Sequence, residues 1–170
     1  MVTKSNAQRF AYVLWDEIWE ELRGQYPDIS SDKQHCDAAA MNFVRCPERF
    51  DVVVASNLFG DLLTDLGGIL SGGLGLAPST NTNPERTYPS MFEPVHGSAP
   101  DIAGKGIANP LAAILSVAML LDHLKLPSGA KAVRDGVAQV LKAGKPRTPD
   151  LGGQAGTKEV GDAVVAAVAG

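Results

Sequence analysis

The sequence predicts an α/β chain, and three observations lead there. The β-branched run "FDVVVAS" leads directly into the apolar segment "SNLFGDLLTDLGGIL", a strand-to-helix step of the kind found in βαβ units. Several longer segments repeat apolar residues at helical spacing. Stretches rich in Gly, Pro and Asn separate them and read as loops.

Composition narrows the function classes. The chain has 170 residues, 45% of them apolar and 20% charged, enough for a real core. Its net charge of -4 and the lack of any Lys/Arg-rich run argue against a nucleic-acid partner. The longest apolar run, Leu111 to Leu121, includes Ser116 and is far shorter than the roughly 20 residues that cross a bilayer. Met1 leads into polar "VTKSNAQR", which reads as no secretory signal. Cys36 and Cys46 are too few for a disulfide framework or a zinc knuckle, so a cytoplasmic setting with free thiols is expected.

The elements follow in order. A first helix is expected from Ser5 or Asn6, with Phe10, Leu14, Ile18 and Leu22 as one apolar stripe and Gly24 and Pro27 as its end. Trp15 and Trp19 beside the stripe read as packing or subunit contacts. "HCDAAAMNFVRC" predicts a second helix stopped by Pro47. "FDVVVAS" reads as a fully buried strand, with Ser56 or Asn57 capping the next helix. Residues 71–90 predict loop around at most one short strand, and "MFEPVHGSAPDIAGKGIANP" more loop. Asn109 as cap and Pro110 in the first turn open a long helix, apolar nearly all round and therefore expected to be buried. Another helix spans 129–142, and a last one closes the chain.

Asp61 and Asp65 fall on one helix face, where like charges four apart cost about 0.2–0.5 kcal/mol. A wet, acidic helix face explains them. So does a site for Mg2+ or Mn2+, since Leu62, Leu63, Leu66, Ile69 and Leu70 leave only a narrow polar stripe. Asp37 is a candidate third ligand. His35, Cys36 and Asp37 point about 100° apart on a helix and cannot share one zinc ion. "GKGIAN" is a poor dinucleotide fingerprint: no strand precedes it and Asn109 replaces its third Gly. Its glycines still permit close backbone approach, and the helix start beside it offers N–H groups to an anion. His96 lacks a G-x-S-x-G context and reads as a binding or loop histidine. Spacing alone assigns Lys4 no chemistry.

Taken together, "TKSN", "DAAAMNFVRCPERFDVVVASNLFGDLLTDLGG", "FEPVHGSAPDIAGKGIANP" and "RTPDLGG" resemble the isocitrate/isopropylmalate dehydrogenase family of β-decarboxylating dehydrogenases. Within it, "NPERTYPSMFEPVHGSAPDIAGKGIANP" and "VTKSNAQRFAYVLWDEIW" look most like the tartrate dehydrogenase/D-malate dehydrogenase branch. The resemblance implies an α/β fold that is not Rossmann. Residues 1–71 would be the end of a smaller, dimer-forming subdomain, and 72–170 part of a larger one.

It also implies roles. Lys4 matches the catalytic lysine, which moves the hydroxyl proton and is lent by the neighbouring subunit. Asn6, near the nicotinamide, and Asp37 match substrate-side residues. Asp61 and Asp65 match metal carboxylates, and Asp37 the third, contributed across a homodimer. The NAD segment would comprise Glu93, His96, Gly97, Ser98, Ala99, Pro100, Asp101, Ile102, Ala103, Gly104, Lys105, Gly106, Ile107, Ala108 and Asn109. Asp101 stands where an acid favours NAD over NADP, and Asn109 at the adenine. The implied reaction oxidises a 2-hydroxy dicarboxylate (D-malate, tartrate or 3-isopropylmalate) with loss of CO2. Family members are about twice as long, so the chain is expected to be a C-terminal half. The arginine cluster and tyrosine of the family would lie upstream of Met1, leaving this chain inactive alone. The alternative is a catalytically silent domain that keeps NAD or metal binding, or serves in assembly.

Overall fold

The computed structural model describes residues 1–170, which form two compact units, Met1–Leu70 and Ser71–Gly170. In the first unit, β1 (Val2–Thr3) pairs in parallel with β2 (Gln34–His35), with Val2 opposite Gln34 and Thr3 opposite His35. Three helices surround this short ladder: α1 (Arg9–Gln25), α2 (Cys36–Arg45) and α3 (Asn57–Leu70). Val2, Tyr12, Ala39, Phe59 and Leu63 form its core, with Trp15 and Phe43 packed against them.

The α1 helix begins at Arg9, later than Ser5 or Asn6. The carbonyl of Lys4 accepts from the N–H groups of Ala7 and Gln8, closing a turn before the helix can start. Ser5 is also unavailable as a cap, because its hydroxyl donates to Asp16 Oδ2 at 2.8 Å. Lys33 Nζ meets the same oxygen at 3.1 Å. Burial raises the Asp16 carboxyl pKa, but hydrogen bonds from Thr3, Ser5 and Lys33 together outweigh it and leave the pKa lowered.

Two apolar runs are not buried as their pattern predicts. Phe10, Leu14, Ile18 and Leu22 all stand exposed, while Tyr12 faces the core. "FDVVVAS" forms no strand; Val2 N–H donating to Val54 O at 2.8 Å ties it to the ladder. Val53 and Ala55 pack inward, whereas Val52 is 85% exposed and Val54 also faces out. The run therefore has one covered face instead of two. Trp19 lies beneath the cations of Arg23 and Lys33.

In the second unit, β3 (Pro78–Asn81) and β4 (Met91–Pro94) make an antiparallel hairpin, with Ser79 opposite Glu93 and Thr80 opposite Phe92. Residues 91–94, expected as loop, are thus a strand, completed by the partner that β3 supplies. Three helices follow: α4 (Leu111–His123), α5 (Pro127–Ala143) and α6 (Thr157–Ala169). Leu111, Val137, Val140, Val160 and Val164 form a shared core. Only part of α4 is enclosed: Leu111, Ala112, Ser116 and Ala118 are buried, and Val117 is exposed. Buried Ser116 satisfies its hydroxyl on Ala112 O at 2.9 Å. Pro127 starts α5, and Gly144, left-handed at φ 77°, ends it.

The segment joining α5 to α6 folds back on itself. Arg147 O accepts from Ala155 N–H at 2.9 Å, and Thr148 O from Gly153 N–H at 3.0 Å. A Cβ on Gly153 would lie 2.0 Å from Arg147 O, a backbone atom with nowhere to go. Gly153→Ala should therefore destabilise the chain by about 2–4 kcal/mol. Gly161→Ala, in α6 with open space around it, should stabilise by up to about 1 kcal/mol. Urea unfolding of both variants checks this pair, and similar midpoints for the two would refute it.

Candidate functional site

The sequence-predicted site residues fall into three groups. In the first unit, β1 ends at Thr3, so Lys4 is the first residue of the turn that follows; Asp37 lies in the first turn of α2, just after β2. The β1–β2 pairing brings these two chain segments together, and Lys4 Nζ meets Asp37 Oδ2 at 3.2 Å. Lys4 is partly covered and Asp37 open to solvent. The hydrogen bond from Lys4 is the first cause that lowers the Asp37 pKa, followed by backbone N–H groups of Asp37 and Ala38 at the helix start. Asn6 is exposed in the turn between β1 and α1.

Asp61 and Asp65 form the second group. Both are exposed on α3, and the chain's ion pairs all lie elsewhere. Their apolar setting is less enclosed than the pattern suggests: Leu63 is buried, but Leu58, Leu62, Ile69 and Leu70 are exposed. Water therefore screens much of their mutual repulsion. No three His, Cys, Asp or Glu side chains of one chain converge as a metal-binding group, so Asp37 does not join Asp61 and Asp65 within a single copy. Two free carboxylates four residues apart are oxygen donors suited to a hard divalent cation, which normally takes more ligands than they provide. His35 and Cys36 precede Asp37 without forming a ligand cluster with it.

The third group is the 93–109 segment. Glu93 is in β4, and Val95 N–H extends the hairpin by donating to Ala77 O at 3.0 Å. His96 Nδ1 lies 2.9 Å from Gly97 O. Gly97, Ser98, Ala99, Pro100 and Asp101 then run exposed over the surface, with Ala99 left-handed at φ 43°. Ile102 N–H bonds Ala99 O and Lys105 N–H bonds Ile102 O, giving two consecutive turns through Ala103. Gly104 and Gly106 supply the positive φ angles, 77° and 66°, that the path requires. The loop is tied to α6: Thr157 N–H donates to Gly106 O at 2.8 Å and the Thr157 hydroxyl to Ala108 O.

A cleft of about 300 Å³ lies along this loop, lined by His96, Ala99, Ile102, Ile107, Ala108 and Asn109 on one side. Gly75, Pro149 and Asp150 complete it. These three were not singled out from spacing; the signal that could have found Asp150 is its place in "RTPDLGG". Asn109 acts at the α4 start as expected, its Oδ1 accepting from Leu111 N–H at 3.0 Å. One N–H group that a free helix start would offer an anion is thus already satisfied.

Residues 1–164 match the family described as isocitrate/isopropylmalate dehydrogenase. The chain is 49% identical over 170 residues to a probable tartrate dehydrogenase/decarboxylase of Agrobacterium vitis, covering 100% of this chain and 47% of that protein. It is 52% identical over 167 residues to the D-malate dehydrogenase (decarboxylating) of Escherichia coli K12, covering 95% and 46%. With the 3-isopropylmalate dehydrogenase of Thermobifida fusca it shares 48% over 169 residues, 99% and 47%. Among solved structures, isocitrate dehydrogenase from Methylococcus capsulatus superposes with a TM-score of 0.91 at 44% identity, covering 98% of this chain and 49% of that one. The chain spans about half the length of the curated relatives it matches.

The Lys4–Asp37 contact generates a direct test. Lys4→Met should raise the Asp37 pKa towards the ordinary carboxylate range. A carboxyl group with a lowered folded-state pKa adds stability above its unfolded pKa and loses it as pH falls through the folded value. The acid side of the stability curve should therefore flatten in this variant. NMR titration of the Asp37 carboxyl carbon reads the shift, and an unchanged midpoint would count against the ion pair.

Proposed function

The chain belongs to the isocitrate/isopropylmalate dehydrogenase family, and on that premise we propose that it is part of a divalent-metal-dependent, NAD-linked, decarboxylating dehydrogenase of a 2-hydroxy dicarboxylate. The match of residues 1–164 carries this reading. The names of the relatives favour tartrate or D-malate as substrate, with 3-isopropylmalate next.

In this reading Lys4 takes part in moving the proton of the substrate hydroxyl, and Asp37 keeps its ammonium in place until substrate arrives. Asn6, exposed beside Lys4, serves the substrate and nicotinamide side. Asp61 and Asp65 of one copy and Asp37 of another would hold Mg2+ or Mn2+, which supplies Lewis-acid polarisation of the substrate oxygen. NAD lies along the 93–109 loop, with Asp101 at the adenosine ribose, where a carboxylate accepts from two hydroxyls and repels a 2′-phosphate.

The active assembly is a homodimer of the longer enzyme, formed through the first unit. Lys4 and Asp37 travel together to the neighbour's site, and the exposed apolar faces of α1 and α3 support this arrangement. The chain alone is read as inactive, since a dicarboxylate also needs bidentate cationic partners. The same exposed faces keep a second reading in play, a silent assembly domain.

Metal binding separates the two. Calorimetric titration with Mn2+ should give saturable heat with the chain, weakened about tenfold or more by Asp61→Asn and by Asp65→Asn. Equal heats for parent and variants would favour the silent domain. For the nucleotide, the chain should bind NAD more tightly than NADP, and Asp101→Lys should shift that ratio at least about tenfold towards NADP. A parent that prefers NADP would refute the assignment.

A further inference from the structure

Lys4 and Asp37 are brought together by a ladder of only two residues per strand. So short a ladder is a weak support, and both residues lie beyond its C-terminal ends. A second tie spans the same two segments. On the β1 side, the hydroxyl of Ser5, the residue after Lys4, donates to Asp16 Oδ2 at 2.8 Å. On the β2 side, Lys33 Nζ, from the residue before Gln34, donates to that same oxygen at 3.1 Å. Asp16 stands on α1, a third element, and its side chain is only 19% exposed.

Neighbouring contacts fix both arms of this tie. Ser5 N–H donates to Thr3 Oγ1 at 3.3 Å, and Lys4 O accepts from Ala7 and Gln8, so the backbone is held on both sides of Lys4. The Lys33 ammonium lies over the Trp19 ring and 3.8 Å from Glu20, both also on α1. The Lys4 side chain has far less support: its ion pair is with Asp37, whose side chain is 65% exposed. An ion pair that open to water does little to fix its own geometry. The aim of Lys4 therefore comes from the backbone that carries it.

We infer that Asp16 is a positioning residue: it clamps the segment after β1 to the segment before β2 and so holds Lys4 against Asp37. It acts through Ser5 and Lys33 and makes no ion pair with Lys4 itself. An ionised carboxylate suits the task, because one of its oxygens can accept from two donors at once and bonds to it are charge-assisted. The inference rests on the reading of Lys4 as the lysine that moves the hydroxyl proton, and adds the residue that aims it.

A water-soluble carbodiimide joins an amine to a carboxylate without a spacer and so reads contact. The test is the share of coupled Lys4 that is joined to Asp37 in the 170-residue chain, measured by peptide mass spectrometry. Lys131 and Asp135, paired on α5, give a reference that no variant should change. The parent should couple Lys4 mainly to Asp37. Asp16→Ala should lower that share at least about threefold, as both charge-assisted bonds are lost. Ser5→Ala and Lys33→Met each cut one arm and should each lower it at least about twofold; they stand in for Asp16→Ala if that variant fails to fold by circular dichroism. Asp16→Asn, whose amide oxygen still accepts from both donors, should stay within about twofold of the parent. A merely structural role would cost stability and leave the share untouched. An unchanged share in Asp16→Ala, or in both single-arm variants, therefore overturns the inference while sparing the dehydrogenase reading. Asp16→Asn falling as far as Asp16→Ala overturns it as well, since charge alone would then set the share. If the share falls as stated but Asp61→Asn and Asp65→Asn leave the Mn2+ heat unchanged, the clamp stands and the reading of the reaction fails.

Discussion

Burial of Leu111, Val137, Val140, Val160 and Val164 against one another holds the second unit in shape. Each such side chain contributes about 1.5–3 kcal/mol when fully enclosed, far more than any single hydrogen bond in the loops above it. The seam places the ends of α4 and α6, and those ends place the cleft. Leu111 is the first residue of α4, so its backbone N–H reaches Asn109 from a rigid support. Thr157 is the first residue of α6 and grips Gly106 and Ala108 from the other side. The C-terminal end of a loop rich in glycine is thereby held by two helices, while its other end continues from the β3–β4 hairpin.

The first unit works differently. Its small core of Val2, Tyr12, Ala39, Phe59 and Leu63 leaves a great deal of apolar surface in water, from Phe10 to Leu22 on α1 and from Leu58 to Ile69 on α3. Apolar faces of this extent are uncommon on the surface of a folded monomer. The charged candidate site residues of this unit fall into two sets, Lys4 with Asp37 and Asp61 with Asp65. A two-residue ladder holds the first set and one helix holds the second, so each set is placed by local structure even where the surrounding surface is open.

The helices were legible because their signals are local. Pro127 and Gly144 bracket α5, Asn109 and Pro110 announce α4, and Asp61 and Asp65 share a face through the helical repeat alone. The strands were not. Residues 91–94 read as loop from composition and become β4 because β3 lies alongside, while "FDVVVAS" reads as a buried strand and forms none. A strand exists through its neighbours, and no pattern within one segment can state whether they are present. The start of α1 was misjudged for a related reason: the Ser5 hydroxyl that could cap it is drawn to Asp16, eleven residues away.

The sequence by itself determined which residues carry charge, where helices can run, and, through long motifs, the family to which the chain belongs. Only the tertiary structure decided that Lys4 and Asp37 touch and that Asp37 lies apart from the α3 pair within one copy. It also decided that Asp150 holds Asn109 from 41 residues away. The physical reason is range. Propensity and periodicity act within a few turns of chain, whereas ion pairs, oriented amides and strand ladders depend on distances between segments that only packing sets.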